Sequence, residues 1–179
     1  RKKQQSAYVA VPVLPEVAAL DGIAQNRQYH AFDVLGHTLE ALREAPAEVA
    51  VRWGVLLHDI AKGTPGVRGV REDGNPTDYG HAAVGADMAA AILQRLELPP
   101  GFVKRVVWLV EQHMNLGISF CAEPDVRLRW LRKAARSKLF RTQDDLRAGI
   151  RQLVAVRVAD RRGMGTDLLP CYEAGAQHV

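Results

Sequence analysis

Along most of the chain, apolar residues recur at intervals of three and four, the spacing of one helix face. Alternating β-branched runs bounded by tight-turn pairs are absent, so no strand ladder is expected. After a lead-in punctuated by Pro12 and Pro15, the pattern predicts a helix over about Phe32–Ala45. Pro46 opens a second, over about Ala47–Ala61. In that helix Val49, Val51, Trp53, Val55, Leu56, Leu57 and Ile60 surround the axis, which places it at the centre of the molecule. Gly63-Thr64-Pro65-Gly66 stops it. Residues 63–80, rich in Gly, Pro, Asp and Arg, read as one long loop, the kind of segment that serves as a lid in many sites. Further helices are expected from His81 to about Leu96, over about Phe102–Met114, over about Pro124–Phe140 and over Gln143–Arg162, the last ended by Gly163 and Gly165. The expected fold is therefore all-α, a helical bundle with no internal repeat.

Composition changes this picture little. A hydrophobic fraction of 47% and a charged fraction of 25% are ordinary for a globular chain, and 179 residues suffice for one substantial core. Cys121 and Cys171 stand in no Cys-x-x-Cys or Cys/His pattern, which argues against a disulfide framework or zinc ribbon and for reduced thiols in a cytoplasmic protein. No apolar run approaches the roughly 18–20 residues that span a bilayer, and no signal-peptide pattern opens the chain, so no membrane partner is expected. The chain starts at Arg1 rather than Met, and both ends read as cut points. The sequence sets no oligomeric state.

Charge is distributed unevenly. From Arg127 to Arg162 twelve Lys/Arg face only Asp144, Asp145 and Asp160, a net +9 in a chain whose total is +4. Such a block is either a solvated helix face or a surface for a polyanion, nucleic acid first. Arg129, Arg132, Lys133 and Arg136 are the candidate RNA contacts, with Trp130 among them.

The candidate chemistry lies in polar residues on apolar stripes. His37 shares a face with Val34 and Ala41; His113 follows Val103, Val106 and Val110; His81 leads Gly85, Met88 and Ile92; Asp160 lies with Gly149, Leu153 and Val156. His58-Asp59 ends the buried second helix. Singly, each fits a core histidine or a capped carboxylate. Together, four inward histidines and two inward aspartates, with no inward Arg or Lys to match them, call for a shared neutraliser, since a buried unpaired carboxylate costs several kcal/mol. A divalent cation is the economical answer, and imidazole with carboxylate suits Mn, Fe, Co, Ni or Zn better than Ca.

This pattern resembles the HD superfamily, whose signature is a first His, an adjacent His-Asp pair and a distant Asp on a later helix; here these are His37, His58-Asp59 and Asp160. More narrowly it is similar to the HD region of tRNA nucleotidyltransferases (CCA-adding enzymes) and related poly(A) polymerases. The strings that carry the likeness are Tyr29-His30-Ala31-Phe32-Asp33 leading to His37-Thr38-Leu39, Leu56-Leu57-His58-Asp59-Ile60-Ala61-Lys62-Gly63, and Gly80-His81 followed by Gly85-Ala86. Leu109-Val110-Glu111-Gln112-His113 and Val158-Ala159-Asp160-Arg161-Arg162-Gly163 complete the set. Ala61 stands where the family often has glycine, and Ala82 where many members carry a polar residue.

The resemblance implies an HD helical bundle with a metal site between helices: residues 1–122 form the metal-binding core, and 123–179 form a basic helical segment that completes it with Asp160 and leads into a tail. It implies that His37, His58, Asp59 and Asp160 hold one divalent metal (Mg, Mn, Co, Ni, Fe or Zn), with His81 and His113 holding a second or binding phosphate. The metal would polarise a phosphoryl oxygen and acidify water, and the implied substrates are nucleotide or RNA-end phosphoesters such as 2′,3′-cyclic phosphates. His58, Asp59 and Lys62 would be catalytic, with Lys62 pinning a phosphate oxygen unless it is only a helix-end cation. Arg68, Arg71 and Arg161 are further candidates for substrate contact, while His30 is read as structural. No Gly-rich nucleotidyltransferase head, Walker P-loop or Ser/His/Asp triad occurs in the sequence. The expectation is that this chain alone adds no nucleotides to RNA, which incorporation of labelled CTP or ATP would refute. A different reading of the same residues is a catalytically silent helical body that binds tRNA for a separate head, and a third is a stand-alone HD nucleotidase.

Overall fold

The structure is a computed structural model that describes residues 13–116 and 123–165. Cys121, Cys171 and His178 lie outside these residues. Helix α1 (Pro15–Ala18) is a single turn, and α2 (Val34–Glu44) follows, capped by Asp33, whose Oδ1 accepts from Gly36 N at 2.7 Å. Helix α3 spans Val49–Leu57, α4 His81–Arg95 and α5 Pro100–Gln112, the last continued by a 3₁₀ turn over His113–Asn115. Helices α6 (Pro124–Ala135) and α7 (Gln143–Gly163) come from the basic segment. The all-α expectation holds, and no helix among the described residues is long and apolar enough to cross a membrane.

Two expectations are corrected. The segment from Gly63 to Gly80 contains an antiparallel pair, β1 (Arg68–Val70) and β2 (Pro76–Asp78), rather than loop alone. Its registry sets Arg68 opposite Asp78, and their side chains meet with Nε 3.0 Å from Oδ1. The two strands are too short for alternation to show, so the hairpin is closed by that pair and by a turn with Gly74 at φ +80°. Helix α6 also ends earlier than expected, at Ala135 instead of Phe140. Ser137 Oγ accepts from Leu139 N beyond it, and the chain turns toward the Thr142 cap of α7.

The core has two connected parts. Val34, Leu57, Ile60, Ala89, Leu93, Val106 and Val110 fill one between α2, α3, α4 and α5. Val51, Val55, Leu109, Leu153, Val156 and Ala159 fill the other between α3, α5 and α7. Helix α3 borders both, as its all-round apolar sequence requires. Helix α7 reaches the centre because Gly163 meets α2 without a side chain: a Cβ there would stand 2.6 Å from Ala41 N. That close approach carries Asp160 to the face of α2 that bears His37.

Candidate metal centre

Helix α3 stops at Leu57, short of the expected Ala61, and the next residues turn more tightly. Ile60 N bonds Leu57 O, Lys62 N bonds Asp59 O and Thr64 N bonds Ala61 O, each three residues back. Gly63, at φ +80° against Ile23, then ends the run. These turns hold His58 and Asp59 inside, 1% and 2% exposed. Ala61 is wholly buried there, its Cβ 3.8 Å from where a Cβ on Gly85 of α4 would stand, so glycine at 85 leaves room for the methyl group.

Three histidines are set by the same device. His58 Nδ1 donates to Val55 O at 2.6 Å, His81 Nδ1 to Asp78 O at 2.7 Å and His113 Nδ1 to Val110 O at 2.6 Å. A carbonyl can only accept, so each Nδ1 carries a proton and each Nε2 turns inward. His58 Nε2 lies 3.2 Å from His37 Nε2, and His81 Nε2 lies 3.2 Å from His113 Nε2. The carboxylates stand among them. Asp160 Oδ1 is 3.1 Å from His37 Nε2 and 3.7 Å from His58 Nε2. Asp59 straddles the cluster: Oδ2 is 3.2 Å from His58 and 3.5 Å from His37, while Oδ1 is 3.3 Å from His81 and 3.9 Å from His113.

This donor set fits a divalent cation. Inward imidazole lone pairs facing one another at hydrogen-bond distance repel unless a proton or a cation lies between them. The oxygens of Asp59 and Asp160 add carboxylate donors beside those imidazoles. Two triads, His37 with His58 and Asp160, and Asp59 with His81 and His113, each offer three atoms within 4.8 Å of one another. His58 and His113 also cap the C-terminal ends of α3 and α5, where the helix dipole favours a cation.

Without a metal, protons do part of that work. Burial alone would push His58 down, but the adjoining Asp59 and Asp160 outweigh it and raise its pKa to about 10. Burial would raise Asp59, yet His58 and Lys62 hold it well below the carboxylate range. Asp160 is likewise held low against burial by His37, His58 and Arg157. His113 is lowered to about 3 by burial and then by the charge on His58.

The premise that no cation matches the inward aspartates is corrected. Arg157, one turn before Asp160 on α7, is 8% exposed and donates from Nη1 to Asp160 Oδ2. Lys62 Nζ lies 2.7 Å from Asp59 Oδ2 and donates to Gln25 Oε1 at 2.8 Å. Gln25, unmarked by any sequence pattern, is buried and held by donating from Nε2 to Asp33 O at 3.1 Å. His30, read as structural from sequence, packs edge-on at 4.9 Å against His37. Burial, then the charge of Lys62, lowers its pKa to about 3.

The other candidates lie elsewhere. Arg68 braces the hairpin, with Nη1 donating to Ala24 O at 2.8 Å beside its pairing with Asp78. Arg71 is exposed on the hairpin turn, and Arg161 rests on Met164 Sδ at 3.3 Å. Arg129, Arg132, Lys133 and Arg136 are all exposed on or just past α6. Trp130 is not with them: its Nε1 donates to Gln112 Oε1 at 3.0 Å, and its ring packs 6.1 Å from Trp108.

The chain is similar to known proteins over most of its described length. The family model described as "HD domain" matches residues 27–161. The A-adding tRNA nucleotidyltransferase of Deinococcus radiodurans is 39% identical over 106 residues, which are 56% of this chain and 24% of that protein. The CC-adding tRNA nucleotidyltransferase of Thermus thermophilus is 36% identical over 156 residues, 83% of this chain and 32% of that protein. The multifunctional CCA protein of Hahella chejuensis is 32% identical over 116 residues, 62% of this chain and 26% of that protein. The chain spans about a quarter to a third of the length of these relatives.

Proposed function

The chain belongs to the HD-domain family, and from that premise we propose that its histidine–aspartate cluster is a divalent-metal centre that hydrolyses nucleotide or RNA-end phosphoesters. The observation that carries this reading is the convergence of four imidazole Nε2 atoms and two carboxylates in one buried cluster. His37, His58 and Asp160 would hold one ion, and Asp59, His81 and His113 a second. A divalent ion in this place supplies Lewis acidity toward a phosphoryl oxygen and toward water.

The chain's own residues do the rest. The carbonyls of Val55, Asp78 and Val110 fix three imidazoles in the tautomer that ligation requires. Lys62 has three N–H groups, of which Gln25 Oε1 accepts one, and its ammonium is ion-paired with Asp59. An N–H beyond the one held by Gln25 is the donor for a phosphate oxygen in this reading. The buried walls keep the polar groups strong by excluding water. Residues 123–165 complete the domain in this reading, since α7 brings Asp160 to the cluster.

The test is turnover of 2′,3′-cyclic AMP and p-nitrophenyl phosphate by the untagged chain with added Mn, Co, Ni or Mg. The reading predicts metal-dependent hydrolysis that Asp59→Ala abolishes; hydrolysis unchanged in Asp59→Ala and in His58→Ala would end it.

A second role is favoured by a separate observation. Arg129, Arg132, Lys133 and Arg136 present an exposed basic surface, and the relatives are named for tRNA chemistry. In this reading the surface binds the tRNA backbone for a nucleotidyltransferase head. The surface and the cluster use different residues, so the two roles are compatible.

A further inference from the structure

Each carboxylate of the cluster already has a permanent cation. Arg157 donates to Asp160 Oδ2, and the Lys62 ammonium lies 2.7 Å from Asp59 Oδ2. Asp59 and Asp160 are the only buried aspartates or glutamates among the described residues, and Arg157 is buried beside them. The Lys62 side chain is 12% exposed, enough to reach the edge of the site but not to leave it. Asp78, near His81, is matched separately by Arg68 across the hairpin. With the imidazoles neutral, as ligation requires, the two carboxylates and two cations sum to zero.

That balance has a consequence for any ion that enters. In a site with free carboxylates, the ligands cancel the charge of a divalent ion. Here the ligands arrive already neutralised, so a divalent ion adds a net positive charge in a water-poor interior, which is costly without a counter-charge. The counter-charge that fits is an anion at the edge where Lys62 has an N–H to give. We infer that a divalent ion and a phosphate dianion enter this site as a pair, each strengthening the other's binding, because Arg157 and Lys62 have neutralised the carboxylates beforehand. The inference rests on the metal-centre reading and narrows its substrate. A phosphomonoester, with two negative charges, couples to the ion more strongly than a singly charged diester.

Titration of the untagged 179-residue chain with Mn²⁺ by isothermal calorimetry, with and without inorganic phosphate, tests this. A protein-free blank corrects for association of Mn²⁺ with phosphate in solution. Phosphate is expected to tighten Mn²⁺ binding at least about tenfold, and Mn²⁺ to tighten phosphate binding by the same factor, as linkage demands. Dimethyl phosphate, a monoanionic diester, should give a smaller factor. Lys62→Met releases Asp59 and should raise the affinity for Mn²⁺ alone while shrinking the coupling; Lys62→Arg should restore both. Circular dichroism checks that the variants fold, and the wild-type titration decides the matter if Lys62→Met does not. Mn²⁺ binding that ignores phosphate would overturn the pairing and leave the metal centre standing. Coupling undiminished in folded Lys62→Met would overturn it too, because contact between ion and anion would then suffice. No Mn²⁺ binding in either condition would sink both readings.

Discussion

At the scale of single residues, the cluster is a contest between protons and a metal. His58 is held near a pKa of about 10 by Asp59 and Asp160 despite burial, so at neutral pH a ligating ion must expel its proton. Apparent Mn²⁺ affinity is therefore expected to rise with pH, by up to about tenfold per unit between roughly pH 7 and 9. Calorimetric titrations at three pH values check this, and a flat profile would contradict it. The metal-free chain should respond in the opposite sense on the alkaline side. His58, raised above its ordinary 6.5, stabilises the fold fully below pH 6.5 and loses that contribution as pH climbs toward 10. His30 and His113, lowered to about 3, stay neutral in the fold while the unfolded chain takes up protons below 6.5, so stability also falls on acidification. Asp59 and Asp160, held low, add a further loss as pH drops through the ordinary carboxylate range. The urea midpoint of the metal-free chain should thus peak near pH 6.5 and decline on both sides. The cluster residues were legible because each polar group stood on an apolar stripe. Arg157 was passed over among the arginines of its helix, although it stands four residues after Leu153 and three before Asp160, on the inward side. Gln25 lies in an aperiodic stretch, and no spacing could nominate it.

At the scale of elements, two glycines separate propensity from packing. Gly101, in the first turn of α5, has open space where a Cβ would go, so Gly101→Ala should stabilise by about 0.5–1 kcal/mol through helix propensity alone. Gly163, at the end of α7, has Ala41 backbone atoms 2.6 and 2.8 Å from that position. Backbone cannot swing aside as a side chain can, so sterics win over propensity there. Gly163→Ala should destabilise by about 1–3 kcal/mol and loosen metal binding, because the contact also sets how Asp160 meets His37. Chemical denaturation of the pair checks both signs; a stabilised Gly163→Ala would mean that α2 and α7 are not fixed by this approach. Helix starts were readable near Pro46 and at Pro124, but the single turn at Pro15 was not expected, and α5 begins at Pro100 rather than near Phe102. Helix ends at the site were less so, because α3 gives way to three-residue turns where His58 and Asp59 must point inward. The hairpin escaped notice since three residues per strand leave no alternation to read, and its closing pair, Arg68 with Asp78, is distant in sequence.

At the scale of the molecule, charge and chemistry divide between surface and centre. Arg129, Arg132 and Lys133 of α6 face solvent, while the ring of Trp130 is turned toward Trp108 and Gln112. RNA binding by this surface should therefore be backbone-directed and steep in salt. Arg129→Glu with Lys133→Glu should weaken tRNA binding and reduce the salt slope by about one unit per lost phosphate contact. Filter binding across salt concentrations checks this, and salt-independent binding would count against it. Phosphoester chemistry should survive those changes, since the cluster lies on other elements. Both the phosphoester chemistry and the coupling to phosphate require the cluster to take up a divalent ion. The decisive result is the metal content of the untagged chain, by elemental analysis, after equilibration with Mn²⁺ and removal of the excess. At least one ion per chain, lost in Asp59→Ala while circular dichroism shows the helices intact, is the predicted result. A wild-type chain that retains no metal, or an Asp59→Ala chain that retains as much, would contradict it.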